Sequence, residues 1–124
     1  MLKTVAMLAV VLGGCSLYGE EDDAVAVGRY TVTWTCASSE CTNPIADTTR
    51  AVVRDDDVVE WSRTIDPAPR ARHQGTRSNG CIVVPAGEDM GIQRSAYTLC
   101  ADGEMLWADI AWSGNSSIAD LYPL

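Results

Sequence analysis

The chain has 124 residues, 47% of them hydrophobic and 21% charged, and its formal net charge is −8. This length is enough for one domain. An acidic chain with only nine basic residues lacks the basic surface that nucleic-acid phosphates require. We therefore expect no nucleic-acid partner.

The first residues have the layout of an export signal. Lys3 is followed by an uncharged, mostly apolar run over residues 4–12 and then by small residues before Cys15. This run is shorter than the roughly 20 residues that a membrane-spanning helix needs. Leu12-Gly13-Gly14-Cys15 resembles the lipobox at which bacterial lipoprotein precursors are cleaved. The resemblance covers residues 1–16.

The resemblance implies removal of residues 1–14 and a diacylglycerol thioether on Cys15, which is the only covalent or bound group we expect. Two or three lipid chains anchor a protein stably, whereas one is marginal. The expected location is the cell envelope, and the outer membrane in Gram-negative bacteria, because Ser16 is not the Asp that retains lipoproteins in the inner membrane. The alternative is an unmodified Cys15 beside a chance apolar stretch.

After cleavage, 110 residues remain with eight arginines and 17 acidic residues, a net charge of −9. Residues 15–26 include four consecutive acidic residues, 20–23, and are predicted to be a solvated tether. Residues 27–124 are predicted to form a single domain.

Four cysteines lie in this domain: Cys36, Cys41, Cys81 and Cys100. An even number in an exported domain indicates disulfides. Of three connectivities we favour the two local ones, Cys36–Cys41 and Cys81–Cys100, worth roughly 2 and 3 kcal/mol in loop-closure entropy. Zinc is the alternative, but paired C-x2-C knuckles are absent from the sequence. We expect no metal.

The strongest strand signal is the alternation of Tyr30, Val32, Trp34 and Cys36 with arginine and threonine. Other short strands are predicted over 49–54, 58–63, 81–85, 93–100 and 105–112. No amphipathic helix is predicted in the mature chain. The fold class is therefore all-β, a small antiparallel sandwich or barrel of about seven short strands. The turn at Asp55-Asp56-Asp57 is read as solvated rather than as a calcium loop, because it lacks the D-x-D-x-D-G pattern.

Residues 64–79 have no apolar periodicity and are predicted to be a long loop. Half of the mature chain's arginines lie between residues 63 and 77, together with the only histidine. The candidate contact residues are Arg63, Arg70, Arg72, His73 and Arg77. They either bind an anion or acidic polymer through forked donors, or they are solvated and paired with nearby acids. We favour the second interpretation.

The best hairpin signal is Asp102-Gly103 between two apolar runs, which predicts a type I′ turn with Cys100 opposite Met105 and Thr98 opposite Trp107. Alternation then places Trp107 and Asp109 on the outer face of the sheet. An exposed tryptophan is a platform for a sugar or a protein partner. Packing of Trp107 against the Cys81–Cys100 disulfide is the alternative.

No nucleophile–base motif or nucleotide-binding loop is present. We therefore expect a non-enzymatic binding or structural module whose partner is an envelope protein or a glycan, and a small hydrolase is a second alternative. Tyr97-x-x-Cys100-x-x-Gly103 resembles a pattern in the small β-barrel lipoproteins that inhibit lysozyme, although the cysteine spacing and the position in the chain differ. This resemblance implies inhibition of a basic enzyme, which the acidic charge of the chain would suit.

Overall fold

The computed structural model describes residues 24–37, 48–66 and 68–124. The predicted signal peptide, Cys15, the tether as far as residue 23, and Cys41 lie outside these residues. Within them there are eleven strands and no helix, so the all-β prediction is confirmed. In chain order the strands are β1 (Gly28–Cys36), β2 (Arg50–Val53), β3 (Val58–Ser62), β4 (Ala71–Gln74), β5 (Thr76–Ser78), β6 (Cys81–Val84), β7 (Gly87–Asp89), β8 (Ile92–Arg94), β9 (Tyr97–Asp102), β10 (Met105–Trp112) and β11 (Asn115–Pro123).

The strands form one antiparallel sheet in the order β4-β3-β2-β1-β11-β10-β9-β6-β5. Its two end strands, β4 and β5, are consecutive in the chain and are separated only by Gly75. The sheet therefore curls into a nearly closed barrel rather than a sandwich. The β7–β8 hairpin lies off this path and joins it where Arg94 pairs with Trp112 of β10.

The corner between β4 and β5 requires glycine. A Cβ atom on Gly75 would overlap Cγ2 of Ile82 and would lie 3.2 Å from the carbonyl oxygens of Asp57 and Val83. Because two of these neighbours are backbone atoms, they cannot rotate away. The barrel closes at this corner only because residue 75 has no side chain.

The barrel interior is filled by the side chains that alternate inward along each strand, as in other small barrels. On β10, the inward residues Leu106, Ala108 and Ile110 are fully buried. Val25 is also buried, and its N–H donates to the Gly80 carbonyl at 2.8 Å. The folded domain therefore includes Val25, which the sequence assigned to the tether.

The prediction of about seven strands was too low: the sequence located six, and β4, β5, β7 and β11 were missed. β4 and β5 lie in the stretch that was predicted to be a loop, and the predicted strand 93–100 is divided between β8 and β9. Several of these strands are short and mostly exposed, so their sequences lack apolar alternation.

The β9–β10 hairpin is present, but its loop lies one residue further along the chain than predicted, so the partner of each β10 residue is shifted by two residues on β9. Asp102 pairs with Met105, so Cys100 and not Thr98 lies opposite Trp107. The two loop residues are Gly103 and Glu104, and only Gly103 has a positive φ, +67°. Glycine in the first loop position favours a type II′ turn, and this moves the loop one residue along the chain.

The Cys81–Cys100 disulfide is confirmed, with the two Cα atoms 4.5 Å apart on β6 and β9. Cys36 ends β1, and its predicted partner Cys41 lies outside the described residues. That pairing stays a prediction.

Candidate functional site

A network of buried polar side chains, which the sequence did not reveal, lies where the β7–β8 hairpin meets the barrel. Its centre is His73 on β4, which is 5% exposed. His73 Nε2 lies 3.0 Å from Asp89 Oδ1, and His73 Nδ1 lies 2.7 Å from the Tyr97 hydroxyl. Both ring nitrogens are therefore occupied by other side chains.

The hydrogen bonds of this network run in one consistent direction. Neutral His73 donates from Nε2 to the Asp89 carboxylate and accepts from the Tyr97 hydroxyl at Nδ1. The Tyr97 oxygen in turn accepts a hydrogen bond from Trp61 Nε1 at 3.3 Å. With this tautomer, each donor in this series of hydrogen bonds faces an acceptor, as buried polar groups require.

The Asp89 carboxylate receives two more donors. Arg94 Nη1 donates to Oδ1 at 2.9 Å, and Trp112 Nε1 donates to Oδ2 at 3.0 Å. Arg94 is 6% exposed and also donates from Nη2 to the Pro85 carbonyl at 2.6 Å. The hairpin thus supplies a buried ion pair that is hydrogen-bonded to β4 and β10 of the barrel and to the Pro85 carbonyl just after β6.

Aromatic rings surround this network. Trp34 contacts Trp61 and Trp112, with centroid distances of 5.5 and 5.6 Å. Tyr97 meets the rings of Trp61 and His73 edge to face, at 6.3 and 5.6 Å. These are favourable geometries for aromatic pairs, so apolar packing excludes water from the polar network.

Burial lowers the pKa of His73 below its usual 6.5, although the hydrogen bond and charge of Asp89 act in the opposite direction. Burial would raise the pKa of Asp89, but hydrogen bonds from Trp112 and His73 outweigh it and hold the pKa below 3.8. Burial also raises the pKa of Tyr97. Near neutral pH the network therefore holds a neutral His73, a charged Asp89 and a neutral Tyr97.

The network resembles a catalytic dyad in composition but not in accessibility. A catalytic histidine has to exchange a proton with a nucleophile or substrate, whereas His73 is buried and, within the described part of the chain, its ring nitrogens bond Tyr97 and Asp89. The Tyr97 hydroxyl is also held protonated by its surroundings. The arrangement is suited to fixing the β7–β8 hairpin to the barrel.

We expect the free energy of unfolding to fall as the pH is lowered from 6.5 towards 5. In this range the unfolded chain binds a proton at His73 that the folded protein binds only at lower pH, so acid favours unfolding. Stability falls further when the pH drops below 3.8, because Asp89 titrates lower in the folded state. Urea unfolding at several pH values measures both effects.

Because the chain has one histidine, a His73→Gln variant is the matched control for the first of these ranges. The glutamine amide keeps a donor to Asp89 but does not titrate. We expect its stability to be flat between pH 6.5 and 5. An equal slope in the native protein and the variant would show that another group titrates there.

The five candidate residues of the segment 63–77 do not form one surface. His73 points into the barrel, whereas Arg72 on the same strand is exposed and pairs with Glu60 at 3.3 Å. Arg77 pairs with Asp57 at 3.1 Å, and Arg63 lies 3.7 Å from Asp66. Arg70 contacts Met90 Sδ at 3.5 Å. For Arg72 and Arg77, pairing with nearby acids is the interpretation that the geometry favours.

Trp107 lies on the outer face of the barrel and is 41% exposed. Its neighbour on β9 is Cys100, which places Trp107 beside the disulfide, and its neighbour on β11 is Asp120. A shallow depression of about 480 Å³ adjoins it. We call this depression the Trp107 face; it is lined by Ser95, Ala96, Tyr97, Thr98, Trp107, Asp109, Ala111 and Ser116.

Among residues 24–37, 48–66 and 68–124, no group of three or more His, Cys, Asp or Glu side chains is placed to hold a metal ion. The same residues include no helix that is long and apolar enough to cross a membrane. Comparison of the chain with models of known families, with curated proteins and with solved structures found no match.

Proposed function

We propose that this protein is a lipid-anchored, non-enzymatic binding module of the bacterial cell envelope, and that it binds a glycan at the Trp107 face. The lipobox supports the anchor. The exposure of Trp107 beside a shallow depression that is lined by both apolar and polar side chains is the observation that carries the binding role.

The chemistry of the Trp107 face suits a sugar. The indole ring offers a flat apolar surface on which the C–H face of a pyranose can stack. The protein leaves part of this ring exposed to water, and a stacked ligand would cover that part. Thr98 is exposed, Asp109 is exposed and Ser116 is half-buried around it. Hydroxyl and carboxylate groups beside an apolar platform are the combination that orients a polyhydroxylated ligand.

The ring is also held in place for this role. Trp107 lies in the middle of β10, one of the longest strands, and is flanked on both sides by paired strands. The disulfide fixes the adjacent β6 and β9. A platform on a rigid sheet binds with a smaller loss of conformational entropy than one on a loop.

Co-sedimentation of the purified protein with isolated peptidoglycan sacculi tests this proposal. We expect Trp107→Ala to weaken binding about tenfold or more, which is the effect of removing a central aromatic contact. Tyr122→Ala is the matched control, because Tyr122 is a 44% exposed aromatic residue on β11 that does not line the Trp107 face. Its binding should equal that of the native protein.

Equal retention of the native protein and Trp107→Ala would contradict the proposal, as would equal weakening by both variants. If the native protein does not bind sacculi but captures an envelope protein that Trp107→Ala does not, the same face serves a protein partner. Slower digestion of sacculi by lysozyme in the presence of either variant would favour the inhibitor alternative.

A further inference from the structure

A second surface feature, independent of the Trp107 face, is a groove at the ends of β1, β2 and β3 near Leu124. Its volume is about 210 Å³. Three arginines line it, Arg29, Arg50 and Arg63, together with Ser62 and Thr64. This is an unusual concentration of positive charge in a chain whose formal net charge is −8.

The register explains why the arginines converge. Arg29 lies opposite Val52, and Arg50 lies opposite Thr31 on one side and Ser62 on the other. Arg29 and Arg50 are therefore diagonal neighbours on the outer face, within reach of each other for long side chains. Arg63 follows directly at the end of β3.

These arginines are poorly neutralised by the protein. Among the described residues, neither Arg29 nor Arg50 has an ion-pair partner. Arg63 reaches Asp66 at 3.7 Å, which is too long for a hydrogen bond, and its buried Nε has no hydrogen-bond partner. Glu60, which lies across Val52 from Arg29 in the sheet, is already shared by Arg54 at 3.7 Å and Arg72 at 3.3 Å.

We propose that the groove formed by Arg29, Arg50 and Arg63 is a binding site for a phosphate group. Two like charges on neighbouring strands repel each other, and a bound anion relieves this repulsion. Guanidinium groups match the oxygens of phosphate with paired, charge-assisted hydrogen bonds. The Ser62 and Thr64 side chains line the same groove. The phosphate is either the free ion or the headgroup of a lipid, since both present the same oxygens.

The test uses ¹⁵N NMR of the purified protein during titration with inorganic phosphate, against sodium chloride at equal ionic strength. We expect the backbone amide signals of residues 29, 50 and 63 to shift. The double variant Arg29→Gln/Arg50→Gln should weaken this binding about tenfold or more, because it removes two charged donors. The chloride series accounts for screening of surface charge by salt.

Arg77→Gln is the matched control. It removes one positive charge, as each of the two substitutions in the double variant does, but Arg77 pairs with Asp57 in the turn at the opposite end of β3. Phosphate binding by Arg77→Gln should equal that of the native protein. If it weakens as much as in the double variant, general charge and not the groove is responsible, and the proposal fails.

Flotation with vesicles separates the two sources of phosphate. Retention of the native protein on phosphatidylglycerol vesicles but not on phosphatidylcholine vesicles, with loss in Arg29→Gln/Arg50→Gln, assigns the site to an anionic lipid headgroup. Binding of inorganic phosphate without selective flotation assigns it to the free ion. If neither probe binds, or if the double variant binds both as the native protein does, the proposal is overturned.

Discussion

Replacing Asp89 with Asn lowers the free energy of unfolding by about 3–5 kcal/mol, because it leaves the buried Arg94 guanidinium without a counter-charge. Asp89 is the acceptor for His73, Arg94 and Trp112. An amide keeps the shape of the side chain but cannot accept at both terminal atoms. Urea unfolding of the native protein and the variant measures the difference.

The control is Asp66→Asn, which removes an acid from the more exposed Arg63–Asp66 pair. Exposed pairs contribute about 0–1 kcal/mol, so this change should be small. If Asp89→Asn does not fold, Trp112→Phe removes one of the three donors and should destabilise the protein by about 1 kcal/mol, the net contribution of one hydrogen bond. Native stability in both Asp89→Asn and Trp112→Phe would show that the hairpin is held by other contacts.

Removing the Cys81–Cys100 disulfide by a Cys81→Ser/Cys100→Ser variant lowers the free energy of unfolding by about 3 kcal/mol, because the sequence separation of 19 residues closes a sizeable loop in the unfolded chain. Urea unfolding under non-reducing conditions measures this loss. A change below about 1 kcal/mol would mean that the unfolded chain is already compact.

The same variant tests the second predicted disulfide. Reduction of Cys81→Ser/Cys100→Ser with dithiothreitol acts only on cysteines other than this pair. A further loss of about 2 kcal/mol would support Cys36–Cys41, since its loop is shorter. No further change would leave the Cys81–Cys100 bridge as the only stabilising disulfide.

The parts of the fold that could be predicted are those with strong local signals. β1 was visible because Tyr30 and Val32 alternate with polar residues, and Cys81–Cys100 because it joins strands that are close in sequence. Alternation along β10 also placed Trp107 outward, and this holds although its partner on β9 is two residues from the predicted one. The face was predictable because a shift of the loop on β9 does not change the alternation of β10 itself.

The hairpins that contain the missed strands are marked by their turn residues and not by apolar alternation. Asn79-Gly80, Met90-Gly91 and Ser113-Gly114 each have positive φ at both residues, the pattern of a type I′ turn. They connect β5 to β6, β7 to β8 and β10 to β11. Asn79-Gly80 is a strong hairpin signal, but the residues beside it lack the apolar alternation that marks strands. Met and Ser rarely adopt positive φ, so the turns at Met90-Gly91 and Ser113-Gly114 could not be recognised from the sequence.

The buried network could not be predicted because its members are distant in sequence and individually ordinary. His73 lies in a polar stretch, and Arg94 reads as one exposed residue of a strand. They meet only because β4 and the β7–β8 hairpin are brought together when the barrel closes. Of the groove arginines, Arg63 was among the predicted candidates, whereas Arg29 and Arg50 were missed because they belong to strands whose register is not visible in the sequence.

The pairing of β1 with β11 has a consequence for how the protein is made. The first and last strands lie side by side in the middle of the sheet. A chain that crosses the membrane N-terminus first, as the proposed export implies, therefore cannot complete its barrel until Pro123 has emerged. Until then β1 and β10 both present unpaired edges, which are sites of aggregation. Truncation of the chain before β11 would consequently open the sheet at its centre, not fray it at a margin.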